Sequence, residues 1–112
     1  AGRSRRQSND ALQLMLTYID SHYGERLSVE NIAKAVSFAP SECCRLFKKV
    51  TGDTIFSYLR SCRLAHATEL LRDTDASVSQ IAYDTGFCST SYFIEAFKER
   101  FSVTPLQYRK NL

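Results

Sequence analysis

Residues 77–101, from Ser77 to Phe101, read SVSQIAYDTGFCSTSYFIEAFKERF, and their pattern decides the fold. Ser77 is a helix N-cap, and Gln80 three residues later completes a capping box. Val78, Ile81 and Ala82 recur at helical spacing and give one apolar face. Gly86 stands where that helix has to stop, because a residue without a Cβ takes the left-handed conformation that turns the chain. Phe87 follows as a buried plug. Ser89 caps a second helix whose inward stripe is Phe93, Ala96 and Phe97, leaving Thr90, Ser91, Ile94 and Glu95 on its open side. A short helix, a Gly turn and a second helix with one open face is the sequence form of a helix-turn-helix.

The same pattern occurs earlier in the chain. Ser28, Val29, Ile32, Ala33 and Phe38 match Ser77, Val78, Ile81, Ala82 and Phe87 at an offset of 49. One residue is then inserted, and Ser41, Phe47, Lys48, Thr54 and Tyr58 match Ser91, Phe97, Lys98, Thr104 and Tyr108 at an offset of 50. A repeat this long in 112 residues means two related lobes.

Outward from these units the chain reads as helix throughout. Residues 1–8 are polar and basic without periodicity, a flexible tail or linker. A first helix from about Asp10 to Tyr23 carries Leu12, Met15, Leu16, Ile19 and Tyr23 on one stripe and ends at Gly24. Ser28 opens the next helix, Ser37 and Phe38 form the turn, and a third helix starts near Pro40 and ends at Gly52. Its inward residues are Leu46 and Phe47, while Ser41, Glu42, Cys44, Arg45 and Lys48 lie on the open side. The longest helix, about 54–72, is apolar on two sides: Ile55, Leu59 and Cys62 on one, Leu64, Ala67 and Leu71 on the other. Such a helix packs against two bodies. The last helix has Thr104 as cap, Pro105 at its first position and Gln107 completing a capping box, with Leu106 and Tyr108 sealing the second lobe. The expected organisation is all-α: a tail over 1–8, a first helix-turn-helix lobe over 9–53, a linker helix over 54–72 and a second lobe over 73–112.

Composition narrows the function. The formal charge is +3, but Arg3, Arg5 and Arg6 supply it; the remaining 12 Lys and Arg face 12 acids. Local charge is more informative. Arg45, Lys48, Lys49, Arg60 and Arg63 fall within nineteen positions that hold a single acid, Asp53. No apolar run approaches the roughly 20 residues a membrane span needs, so no membrane partner is expected. Four cysteines, at 43, 44, 62 and 88, lack metal-ligand spacing and secretory context, which reads as reduced thiols in the cytoplasm. Adjacent Cys43 and Cys44 point apart on a helix and do not bridge. His22 and His66 are isolated, and nothing resembles a nucleophile–base pair, metal cluster or phosphate loop. No enzyme activity and no cofactor are expected. The start AGRSRRQ, without an initiator Met, suggests an excised piece of a longer chain.

The run IAYDTGFCSTSYFIEAFKERFSVTPLQYR resembles the C-terminal signature of AraC/XylS-type bacterial transcription regulators. LSVENIAKAVSFAPSECCRLFKKVTGDTIFSYLRSCRLAHATELL resembles the first half of the same domain, so the likeness runs from about Leu12 to Tyr108. It implies seven helices forming two helix-turn-helix subdomains joined by a long linker helix, and a sequence-specific DNA-binding domain of a cytoplasmic regulator. Both recognition helices, about 40–51 and 89–101, would enter successive major-groove segments of double-stranded DNA, roughly 34 Å apart. Carried over by position, Ser41, Cys44 and Arg45 of the first helix and Ser91, Ile94 and Glu95 of the second would face base edges. Lys48, Lys49, Thr90 and Lys98 would meet phosphates. Phe38, Phe47, Gly86, Phe87, Phe97 and Pro105 would be turn and core residues. The resemblance further implies RNA polymerase as a partner, activation of transcription, and a separate effector-binding or dimerisation domain.

Four positions depart from the family pattern. Ser37 replaces a turn Gly, so the first turn should differ from the second. Ala39 replaces a capping Ser. Cys43 replaces a larger apolar residue, which predicts a looser first lobe. Glu95 stands where a basic residue is frequent, so the second unit is expected to add less base-specific affinity. The rival reading is a helical protein-interaction module with degenerate helix-turn-helix units, supported by the balanced core charge and by Glu42 and Glu95.

Overall fold

The computed structural model describes residues 4–112, and among them are seven helices and no strand. They are α1 (Arg5–His22), α2 (Val29–Val36), α3 (Pro40–Thr51), α4 (Ile55–Asp73), α5 (Val78–Asp84), α6 (Thr90–Phe101) and α7 (Pro105–Lys110). None of the described helices is long and apolar enough to cross a membrane.

The first helix starts earlier than its apolar stripe suggests. Ser4 accepts from the Gln7 N–H at 3.1 Å, and the Ser4 N–H donates to Gln7 Oε1 at 2.9 Å. That capping box makes residues 5–8 helical, not part of a flexible tail. They add no apolar surface, since the buried face begins at Ala11, so the periodicity of the sequence does not report them. The part of the expected tail over 1–3 lies outside the described residues.

Contacts divide the chain into two units, one through Leu59 and one from Arg60, and the division falls inside α4. In the first unit Ala11, Met15 and Ile19 of α1 pack with Ile32, Ala33 and Val36 of α2, Cys43 and Phe47 of α3, and Ile55 and Leu59 of α4. In the second, Leu64, Ala67 and Leu71 of α4 pack with Ile81, Ala82, Phe87, Phe93, Ala96 and Phe97. The repeat explains α4. Its first half closes the first unit as α7 closes the second, and its second half supports α5 and α6 as α1 supports α2 and α3. Hence its two apolar sides. Cys62, expected on the first of them, is only half-buried. Cys43, where loose packing was expected, is fully buried, and burial pushes its thiol pKa up, helped by neighbouring Cys44 and Glu42.

The two helix-turn-helix turns share one bond and differ in another: the Ser37 N–H donates to Ala33 O, the Gly86 N–H to Tyr83 O. The Phe38 N–H reaches Ala33 O at 3.3 Å, and the Phe87 N–H reaches Ala82 O at 3.0 Å. Ser37 itself is left-handed, φ 59°, as Gly86 is at φ 90°. The difference expected in the first turn thus lies in the strain of Ser37 and in the carbonyl its N–H takes. The pattern reverses at the ends of the second helix of each pair: Gly52 stops α3 at φ 78° and Ser102 stops α6 at φ 67°. Each unit has one glycine and one serine at its two left-handed positions. A left-handed non-Gly residue costs roughly 1–2 kcal/mol, partly offset because glycine gains unfolded-state entropy. Ser37→Gly and Ser102→Gly should each stabilise by about 0.5–1 kcal/mol and add when combined. Urea denaturation checks this; a midpoint that stays put or falls would show that the serine hydroxyls repay the strain.

Two local expectations fail for identifiable reasons. Ser77 caps α5, accepting from the Gln80 N–H, but the Gln80 amide turns forward to Asp84 Oδ1 at 2.8 Å and does not close the box. Leu106 does not seal the second unit: it is 57% exposed, while Pro105 is buried and Tyr108 is half-buried against Phe97 and Phe101. In a helix of one and a half turns only one early position can face inward, and Pro105 takes it.

Candidate nucleic-acid interface

α3 and α6 each bury one stripe and present the other. In α3 the inward residues are Cys43 and Phe47, with Leu46 half-buried. Ser41, Cys44, Arg45, Lys48 and Lys49, all expected at the interface, are exposed. Residues at i, i+3, i+4 and i+7 share a helix face, so 41, 44, 45 and 48 form one continuous strip and Lys49 flanks it. Arg45 has no ion-pair or hydrogen-bond partner among the described residues, so its guanidinium fork is available. Lys48 Nζ lies 3.2 Å from Gly52 O, where it also complements the C-terminal end of its helix. Ala39 offers no capping oxygen, but Glu42 turns back and accepts the Ala39 N–H at 3.0 Å. The carboxylate thus stays on the helix end and off the strip.

In α6, Ser91, Glu95 and Lys98 are exposed, and Thr90 and Ile94 are half-buried. Thr90 Oγ1 lies 3.2 Å from Ser79 Oγ, tying α6 to α5. Ser89 caps the helix by accepting the Tyr92 N–H at 3.0 Å. Tyr92 is 41% exposed with its ring 5.6 Å from Phe87, so it leans on the plug residue. The charge of this strip differs from that of α3. Glu95 occupies the position of Arg45 in the repeat, Glu99 that of Lys49, and Glu99 lies 3.8 Å from Arg60. The five cations close together in sequence are divided between the two units. Arg45, Lys48 and Lys49 are on the first unit, Arg60 faces Glu99, and Arg63 is half-buried beside Cys62, Cys88 and Tyr92 with its pKa lowered chiefly by burial.

The structural residues fall where the repeat implies. Phe47 and Phe97 are fully buried, Phe87 and Pro105 are buried, Phe38 is half-buried, and Gly86 takes the left-handed turn. Sequence reasoning missed Arg109. Its guanidinium donates to three carbonyls, Nε to Leu71 O at 3.1 Å, Nη1 to Ala76 O at 2.7 Å and Nη2 to Thr74 O at 3.1 Å. It holds the end of α4 and the connection to α5 against α7. A charged residue in the Tyr-Arg pair at 108–109, one helical turn after a buried proline, was the available signal.

Each unit also has a groove beside its reading helix. In the first it measures about 580 Å³ and lies between Val29 of α2, Cys44, Arg45, Lys48 and Lys49 of α3, and Thr54, Ile55 and Phe56 at the start of α4. In the second it measures about 270 Å³, between Val78, Thr90 and Ile94 on one side and Thr104, Pro105 and Leu106 on the other. The repeat maps one onto the other, Val29 to Val78, Cys44 to Ile94, and Thr54–Phe56 to Thr104–Leu106.

Two exposed reading helices in a repeated three-helix frame define a fold with known counterparts. A family model described as "Helix-turn-helix domain" matches residues 32–111. A crystal structure of a transcriptional regulator with an AraC-type DNA-binding domain, from Chromobacterium violaceum, superposes with a TM-score of 0.86 at 30% identity, covering 92% of both chains. The chain belongs to the AraC-type helix-turn-helix family. It is a DNA-binding domain of the kind found in transcription regulators. The DNA-binding domain of AdpA, solved in complex with a target DNA, has a TM-score of 0.84 at 26% identity over 89% of this chain and 90% of that one. Among curated relatives, the HTH-type transcriptional activator RhaS of Enterobacter sp. is 36% identical over 105 residues, 93% of this chain and 38% of that protein. The chain spans about a third of the length of the first curated relatives it matches.

Proposed function

We propose that this AraC-type domain recognises a bipartite DNA site, with α3 the main reader and α6 the lesser one. The observation that carries this is the exposed strip of α3, Ser41, Cys44, Arg45 and Lys48, which holds no acid, against the charge-balanced strip of α6. Arg45 pairs bidentately with a guanine in the major groove, and Ser41 and Cys44 flank it. Lys48 and Lys49 hold phosphates and set the register. On α6, Ser91 and Glu95 face base edges, with Glu95 accepting from a cytosine amine, and Lys98 meets the backbone. The placement of Thr90 and Ile94 favours a positioning role over direct reading. Two reading helices on one chain suit two groove segments about one helical turn apart. The name of RhaS supports activation of transcription as the outcome in a bacterial cytoplasm, with RNA polymerase as the partner and an effector-binding or dimerisation domain elsewhere in the whole regulator.

Selection from a random duplex library at two salt concentrations tests this, because phosphate contacts make affinity fall steeply with salt. Two enriched blocks about one turn apart are expected. Arg45→Ala should cost about 1–3 kcal/mol and relax one position of one block. Lys49→Ala should weaken all sequences alike and reduce the salt slope by about 1. A selected motif that Arg45→Ala leaves intact would remove α3 from base reading.

A further inference from the structure

The first-unit groove has a feature that DNA reading leaves unused. Phosphates and base edges call for cations and hydrogen-bond donors. The far wall of this groove is instead Val29, Ile55 and Phe56, and Phe56 is 49% exposed. An aromatic ring half in water beside a groove of about 580 Å³ is the kind of apolar surface that marks an interaction site. The near wall carries three cations on one and a half turns of α3, Arg45, Lys48 and Lys49, and the lining contains no acid. Asp53, beside it in sequence, turns its Oδ1 to the Thr54 N–H at 2.9 Å.

We propose that this groove docks an acidic amphipathic helix of a partner protein. Such a helix lays an apolar stripe into a groove and sets charges along the rim. The apolar wall takes the stripe. Three spaced cations call for several carboxylates along a segment, where a single small acid would meet one of them. The second unit supplies an internal comparison. Its matching groove is smaller, about 270 Å³, with Ile94 where the first has Cys44, and none of its lining residues is charged. The same fold therefore builds a docking groove in one copy and a smaller, uncharged one in the other. Because Arg45 and Lys48 belong both to this rim and to the proposed reading strip, docking and DNA binding exclude one another. That consequence rests on the DNA reading of α3; the docking itself does not.

The test uses a synthetic helical peptide with leucines on one stripe and glutamates elsewhere, and a twin with lysine for every glutamate. Backbone amide spectra of the full chain are recorded on titration, with affinity from fluorescence anisotropy. The acidic peptide should bind, perturb Val29, Cys44 and Phe56, and weaken as salt rises. Phe56→Ser should weaken it about tenfold or more, as truncating a central aromatic anchor does, while the DNA affinity of that variant stays unchanged. Leu106→Ser, the matched change in the second unit, should leave both intact. A DNA duplex should displace the peptide. Equal binding of the lysine twin, shifts centred on Val78 and Ile94, or a Phe56→Ser variant that binds peptide normally would each overturn the proposal. So would an equal loss of DNA affinity in Phe56→Ser, which would make the groove part of the DNA interface. Perturbation of the same residues by a long-chain alkyl carboxylate, with no response to the peptide, would give the groove to a small amphiphile instead.

Discussion

Phe97→Ala is expected to destabilise the protein by about 3–5 kcal/mol, the cost of emptying a fully buried aromatic site. Phe97 has no exposed surface and is the hub of the second unit's ring cluster. Its centroid lies 5.8 Å from Phe93, 4.6 Å from Phe101 and 5.6 Å from Tyr108. Phe93 is held against Phe87 and Phe101 against Tyr108, so neither can fill the hole without giving up that contact, and the cavity persists. Domains are stable by only about 5–15 kcal/mol, so the loss is a large share of the total. Urea denaturation followed by near-ultraviolet circular dichroism reads both the stability and the ring packing. A loss under about 1.5 kcal/mol would mean that the cluster collapses into the space. Phe47 is its counterpart in the repeat and is equally buried, with Tyr58 edge-on at 5.5 Å and Met15, Ile19, Ile32 and Leu59 in the same core.

Arg109→Ala should cost about 2–4 kcal/mol, although Arg109 is only partly buried. Hydrogen bonds from a charged donor are worth more than neutral ones, and removing the donor leaves the acceptors to find new partners. The fork reaches three carbonyls at once, those of Leu71, Thr74 and Ala76. A lysine has one rotatable ammonium where arginine has a planar fork, so Arg109→Lys should restore less than half of the loss. At roughly 4–8 °C per kcal/mol for a chain of this size, the alanine variant should melt at least 8 °C lower. An unchanged melting temperature would mean that water serves these carbonyls as well as the guanidinium does.

Features governed by neighbours within four residues were legible in the sequence. Ser28, Ser77, Ser89 and Thr104 all cap the helices they were expected to cap. The outward strip of α3 followed from helical periodicity with Leu46 and Phe47 taken as inward, although Cys43 is the fully buried partner of Phe47 and Leu46 is half-buried. The all-α fold followed from the repeat. What was not legible depends on the third dimension or on competition. Ser4 and Gln7 form a capping box ahead of any apolar residue that could announce the helix. Gln80 had two partners within reach, the Ser77 N–H and Asp84, and the sequence does not rank them. Leu106 and Pro105 competed for one inward position. The approach of Arg60 to Glu99 joins positions thirty-nine apart, and no local pattern announces it. The grooves are made by three separate segments each, and no single window contains one.

The Arg109 clamp also bears on how the chain folds as it is made. The first unit has its complete core once Leu59 has been added. The second has no such early point. The Leu71, Thr74 and Ala76 carbonyls wait for a donor 38, 35 and 33 positions further on. Chains emerge at about 5–20 residues per second, and N-terminal parts fold first. The better-charged reading helix is thus ready while the second unit, still without its clamp, has its aromatic cluster open to water, and that interval is when the nascent chain is most exposed to misassociation.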